Sequence, residues 1–152
     1  MSKNIWFISD THFQHKNIAV VFTGEDGKRV RNFDSVEEMN ELMIRNWNDR
    51  VGSLDIVYHL GDVFFGNAKT ADVILSRLNG KKKLIIGNHD YLNDSKTFTI
   101  LQKHFSIEFF DRMNDPVKNE NFFMAHVPFH PSQFGKYKYQ VHGHIHEKVI
   151  DD

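Results

Sequence analysis

The chain contains no cysteine, which excludes disulfide staples, thiolate zinc sites, iron–sulfur clusters and a cysteine nucleophile together. It also carries almost no net charge: 19 Lys and Arg stand against 20 Asp and Glu, for a formal charge of -1 and a pI near 6.8. That balance argues against a protein that holds nucleic acid mainly by neutralising phosphates over its surface. No Gly-x-Ser-x-Gly elbow occurs, which argues against a serine hydrolase. Long apolar runs are missing as well. The N-terminal run Ile5-Trp6-Phe7-Ile8 falls far short of a secretory segment, and no later run approaches a membrane span. The expected address is therefore the cytoplasm, without membrane contact, and residues 1–152 are expected to form one domain.

What the chain does have is histidine: 10 residues, with His142, His144 and His146 inside five positions. Histidine is the commonest metal ligand and acid–base group, so the excess asks for a site. Strands are expected at residues 4–9 (buried), 55–60, 84–86, 107–111, 122–125 and 139–141 from their apolar runs. Ser35-Val-Glu-Glu38 reads as a capping box opening a helix to about Arg50, with Val36, Met39, Met43 and Trp47 at helical spacing. Further helices are expected over 69–79, closed by Gly80, and from Asp94 or Ser95 to His104. Lys81-Lys82-Lys83 reads as a solvated turn, and residues 21–34 as a loop able to carry a short hairpin. Alternating strand and helix, with strands grouped late, points to a layered α/β domain.

Polar clusters fall just past one strand after another: Asp10 with His12, Asp62, Asn88 with His89, His126, and His142 to His146. Singly each is weak, because a strand-end Asp is usually a turn residue. Together they deliver N and O donors from five segments to one sheet edge, where ligands of open α/β sheets gather. Two cations about 4 Å apart can clamp the attacking and leaving oxygens of an in-line phosphoryl displacement, given a bridging carboxylate and several terminal ligands.

Asp10-x-His12, Gly61-Asp62, Gly87-Asn88-His89-Asp90, the strand-end His126 and Gly143-His144-x-His146 resemble, in order, the signature of calcineurin-like metallophosphoesterases. Ser9-Asp-Thr-His-Phe-Gln-His15 is similar to small uncapped bacterial and phage members. The resemblance implies a four-layer α/β/β/α sandwich with a dinuclear site at the strand C-terminal edge. It implies one metal on Asp10, His12, Asp62 and His146, a second on Asp62, Asn88, His126 and His144, and Asp62 as bridge. A hydroxide between the metals would be the nucleophile, His89 the general acid for the leaving oxygen and Asp90 its orienting partner. His15, Arg29 and Arg31 are candidates for substrate phosphate. Thiolate-free, histidine-rich ligation favours Mn, Fe, Zn, Ni or Co over Mg or Ca, and similarity to the family makes two Mn ions the first expectation.

The expected activity is hydrolysis of a small phosphate ester, a phosphodiester first. The alternatives are a nuclease or nucleotide phosphatase acting on short single strands or nucleotides, and a non-catalytic scaffold of the same fold. Nucleic acid enters only as a short substrate. Two positions depart from the pattern of the small relatives: Gln14 stands where Gly is frequent, and Ile145 where a hydroxyl residue is frequent.

Overall fold

The computed structural model describes residues 3–91, 95–115, 120–133 and 135–145. Four parallel strands, β1 (Ile5–Ile8), β2 (Ile56–His59), β3 (Lys81–Ile85) and β4 (Ser106–Glu108), form one sheet in that order. Helices lie between them in the chain: α1 (Lys16–Val20), α2 (Val36–Asn48), α3 (Ala68–Leu75), α4 (Asn88–Tyr91) and α5 (Ser95–His104). A second sheet holds β5 (Asp111–Asp115), β6 (Glu120–Met124) and β7 (Tyr139–Val141), with β5 antiparallel and β7 parallel to β6. The α/β class expected from the sequence is the one found.

Side-chain alternation along β2 explains the layering, because successive strand residues face opposite sides. Val57 joins Leu84 against Ile44 and Trp47 of α2, Ile74 and Leu75 of α3 and Leu101 of α5. Tyr58, Leu60 and Ile85 face the other way and meet Met124, Met113 and Val141 of the second sheet. Each core therefore glues the first sheet to a different neighbour. Asp72 of α3 accepts from Lys103 and pairs with His104 at 2.6 Å, which ties α3 to α5. On the outer face of the second sheet, where a fourth layer was expected, Phe123 stacks on Phe110 and meets Phe129 and Tyr137. The described residues between β6 and β7 carry only a one-turn 3₁₀ helix, Pro131–Gln133.

Several local expectations are corrected. The lysine run is no turn: Lys81, Lys82 and Lys83 are the first residues of β3 and pair with Ile56, Val57 and Tyr58. Their long stems allow it, since Lys82 folds back to donate to Leu78 O at 2.7 Å and Lys83 reaches Tyr58 Oη and Asp111. Strand 1, read as buried, leaves Ile5, Phe7 and Ile8 exposed, because among the described residues it lies at the sheet edge. The single strand expected at 107–111 is two, β4 and β5, one in each sheet. Among the described residues no helix is long and apolar enough to cross a membrane.

Candidate metal centre

The parallel ladder between β1 and β2 does not stop where the strands do. Asp10 N donates to Gly61 O, His12 N to Asp62 O and Phe13 N to Val63 O, at 2.9 to 3.0 Å. The two strand-end loops thus run side by side, and Asp10, His12 and Asp62 converge. A second pair of segments is joined likewise, with Ala125 N on Val141 O and Gly143 N on His126 O, bringing His126 and His144 together. Asp62 lies in both groups. Ligand atoms of Asp10, His12 and Asp62 fall within 4.8 Å of one another, and so do those of Asp62, His126 and His144.

This convergence costs backbone strain. The non-glycine residues with positive φ among the described residues are Asp10 (52°), His12 (49°), Gln14 (64°), Asp62 (57°) and His144 (71°). Such backbone is uncommon outside glycine and gathers at functional sites. Beside Gly143 the bend is taken by His144 itself. Position 14 is left-handed, which is why a glycine would suit it; here Asn40 Oδ1 accepts from Gln14 N at 3.0 Å and holds the turn. Gly61 (φ 95°) and Gly87 lie back to back: a Cβ on Gly61 would stand 2.7 Å from Gly87 Cα, and one on Gly87 would overlap Asp62. The two motifs approach this closely only as glycines.

The donor set can be read atom by atom. His126 Nδ1 lies 2.6 Å from the Leu60 carbonyl, so that nitrogen carries the proton and Nε2 presents its lone pair. That lone pair faces Asn88 Oδ1 at 3.0 Å, His144 Nδ1 at 3.2 Å and Asp62 Oδ2 at 3.5 Å. A proton satisfies one of these acceptors, whereas a cation at their centre satisfies all four. Burial alone would lower the His126 pKa, yet the Asp62 carboxylate and the Leu60 carbonyl raise it. Burial likewise pushes Asp62 up, but His126 and the His89 amide, 2.9 Å from Oδ1, bring it below the usual carboxylate range. Both shifts record a buried place that favours positive charge. Asp10 Oδ1 stands 3.8 Å from His12 Nε2, while its Oδ2 accepts from the Ser9 hydroxyl and from His144 N at 3.0 Å. A mixed N/O set without thiolate fits divalent transition metals.

His89 presents a half-exposed imidazole whose Nε2 lies 4.0 Å from Asp62 Oδ2. Its expected partner does something else. Asp90 is fully buried, and its carboxylate accepts from Asp62 N (2.8 Å), Gly87 N (3.0 Å) and Val63 N (2.9 Å). The reading of Asp90 as the orienter of His89 is corrected: both its oxygens lock the two glycine motifs together. Burial pushes its pKa to about 6 against those three amides. Arg31, a candidate for substrate phosphate, donates from both terminal nitrogens to backbone, Nη1 to Thr11 O and Nη2 to Asp10 O, each at 2.6 Å. It braces the loop between the two expected ligands and offers no free fork. Arg29 is exposed, with one bond at 3.4 Å to Phe33 O. His15 caps α1, its Nδ1 accepting from Ile18 N at 3.1 Å, and burial lowers its pKa. Its ring packs on Phe65 at 4.2 Å beside His12. His146 lies outside the described residues.

One brace lies deeper, at the end of β2. Fully buried His59 has its Nε2 2.9 Å from Thr11 Oγ1, and the Thr11 hydroxyl donates to Val63 O. His59 therefore donates, stays neutral with a pKa lowered by burial to about 3, and pins the residue between Asp10 and His12. A histidine buried two residues before Gly61-Asp62 was the only signal for it.

Comparison with known proteins agrees with this geometry. The model of the calcineurin-like phosphoesterase family matches residues 3–146. The chain is 33% identical over 152 residues to the uncharacterized protein MJ1445 of Methanocaldococcus jannaschii, covering 99% of this chain and 73% of that one. It is 36% identical over 91 residues to the gene 66 protein of Mycobacterium phage L5, covering 57% of this chain and 40% of the phage protein. Among solved structures, the protein of unknown function AQ665 from Aquifex aeolicus superposes with a TM-score of 0.59 at 27% identity, covering 84% of this chain and 62% of that one. With a family model spanning nearly its whole length and an archaeal relative matched over 99% of it, the chain belongs to the calcineurin-like phosphoesterases.

Proposed function

We propose that this chain hydrolyses phosphodiesters with two bound divalent transition metals, manganese first. Family membership supports metal-dependent phosphoester hydrolysis, and the observation that carries the finer reading is the pair of donor groups sharing Asp62. Asp10, His12 and Asp62, with His146, would hold one ion. Asp62, Asn88, His126 and His144 would hold the other. Two such ions supply Lewis-acid polarisation of the phosphoryl group and a water whose pKa falls to about 7. The protein's own part is orientation and protons: Arg31, Asp90 and His59 fix the ligand loops, and His89, standing at the rim, donates to the departing alcohol oxygen. A diester is favoured over a monoester because the extra charge of a monoester asks for cationic donors. Arg31 is committed to carbonyls, and among the described residues no lysine or arginine lines the cleft at His89.

The test is a screen of manganese-loaded protein against nitrophenyl mono- and diesters, dinucleotides and short single strands, with elemental analysis of the same sample. More than one metal per chain, hydrolysis abolished by chelation, and manganese restoring it better than magnesium are expected. Saturation at one metal removes the dinuclear reading. Activity in fully demetallated protein removes metal catalysis, and tight metal binding without any hydrolysis makes the chain a scaffold.

A further inference from the structure

Three clefts open beside the donor cluster; one is lined by Asp10 and Arg31, and the consecutive residues Asn88 and His89 line the other two. The first of these two, about 500 Å³, is lined by Phe65, Phe22, Val30 and Ile145 together with His12, His15, His89 and His144. Phe65 stands against three imidazoles, 5.2 Å from His12, 4.2 Å from His15 and 4.9 Å from His89. Phe22 lies across His15 at 5.7 Å and is 46% exposed. The second cleft, about 390 Å³, is lined by Asn88 and His126 together with Phe109, Phe129 and Val127. Phe109 is 72% exposed. Both volumes fall within the roughly 300–1,000 Å³ of small-molecule sites.

A phosphodiester carries two organic arms on one phosphorus, and each cleft is lined by residues that share a donor group with Asp62. Among the described residues no lysine or arginine lines either of these two clefts, and Glu25 is the only carboxylate in the first. Neither cleft is thus built for a further phosphate. Exposed aromatic faces instead stack flat, uncharged groups, as they do with nucleobases in single-strand binders. We infer that the substrate is a dinucleoside monophosphate, one nucleoside lying on Phe65 and Phe22 and the other on Phe109 and Phe129, with the single phosphodiester at Asp62 between them. This rests on the phosphodiesterase reading above and narrows it to a substrate with two flat neutral arms and no terminal phosphate.

The experiment uses manganese-loaded full chain and thymidylyl-thymidine, the methyl esters of thymidine 3′- and 5′-phosphate, thymidylyl-thymidine bearing a 5′-phosphate, and methyl nitrophenyl phosphate. Replacing either nucleoside by methyl is expected to lower kcat/KM about tenfold or more, the usual worth of one stacked base. The added 5′-phosphate should bring no gain. In metal-free protein, an uncharged dinucleoside methylphosphonate, titrated by NMR, should shift the Phe22 and Phe109 ring signals. F22A and F109A should each weaken that binding about tenfold. If methyl esters are hydrolysed as well as the dinucleoside, or if the ring signals do not move, the two-arm assignment is overturned while the diesterase reading stands. A 5′-phosphate that improves the substrate tenfold also overturns it. If even methyl nitrophenyl phosphate resists metal-dependent hydrolysis, the diesterase reading fails and this inference fails with it.

Discussion

Asp55 and Asp62 bracket the same strand, β2, and both are buried, yet they meet burial in opposite ways. Asp55, before the strand, accepts from Asn4 N at 2.9 Å, Trp6 Nε1 at 3.0 Å and Gly52 N at 3.0 Å, so its charge is answered by fixed donors. Asp62, after the strand, has one backbone donor, the His89 amide, and otherwise looks at lone pairs and imidazoles. One end of the sheet is closed upon itself. The other turns a buried carboxylate toward imidazoles, the arrangement from which the proposed metal chemistry would be drawn.

The sharpest way to break the comparison is to neutralise each carboxylate in turn. Asp62→Asn should weaken both metals together, by at least about 100-fold, and abolish hydrolysis while the metal-free chain stays folded. Two tightly held metals and full activity in that variant would move the bridge elsewhere. Next in size is His89→Ala, expected to retain its metals yet lose about 100- to 10,000-fold on a diester with a poor leaving alcohol. It should lose far less on a nitrophenyl diester, because nitrophenolate departs without a proton. Equal losses on both would make His89 a positioning group. Smaller again is Arg31→Met, which frees the Asp10 and Thr11 carbonyls: it should cost about 10- to 100-fold in affinity for the metal of the Asp10–His12 group. The other site should be spared, and metal titration with two resolved steps decides it.

The smallest effect on activity, and the clearest on stability, belongs to Asp55. The Trp6 indole N–H first, then the Asn4 and Gly52 amides, depress its pKa to about 2 from the ordinary 3.8. A carboxyl depressed by folding adds stability that is present above pH about 4 and lost as pH falls toward 2. Asp55→Asn should therefore melt several degrees lower at pH 7, flatten the loss of stability between pH 4 and 2, and leave metal content untouched. A variant as acid-sensitive as the parent would show that Asp55 carries no such linkage.

The two ends were not equally legible in the sequence. Residues of metal-ligating type are conspicuous, so Asp10, His12, Asp62, His126 and His144 stand out by type and strand-end position, and the fold brings their donor atoms together. Groups that work on backbone carry no such mark. Asp90, beside a histidine, reads as its orienter, and only the fold reveals that its partners are three amides from two loops. Arg31 reads as a phosphate fork because nothing local tells that carbonyls twenty residues earlier lie under it. The same holds for the lysines of β3, whose polarity masks a strand because their stems do the packing. The short helices α1 and α4 fall below the length at which apolar periodicity can be heard.

The left-handed backbone at Asp10, His12, Asp62 and His144 has a bearing on how such a protein ages under mutation. At each of these positions the backbone alone would prefer glycine or asparagine, so the side chain is kept there against the fold's own interest. Released from the need for metal, a lineage would drift at His144 first, since that residue is exposed and its removal opens no cavity. His144→Gly should make the metal-free chain more stable than the parent. Relatives that retain the sandwich but have abandoned catalysis should then be recognisable by glycine or asparagine appearing at these left-handed positions, before any change in the core.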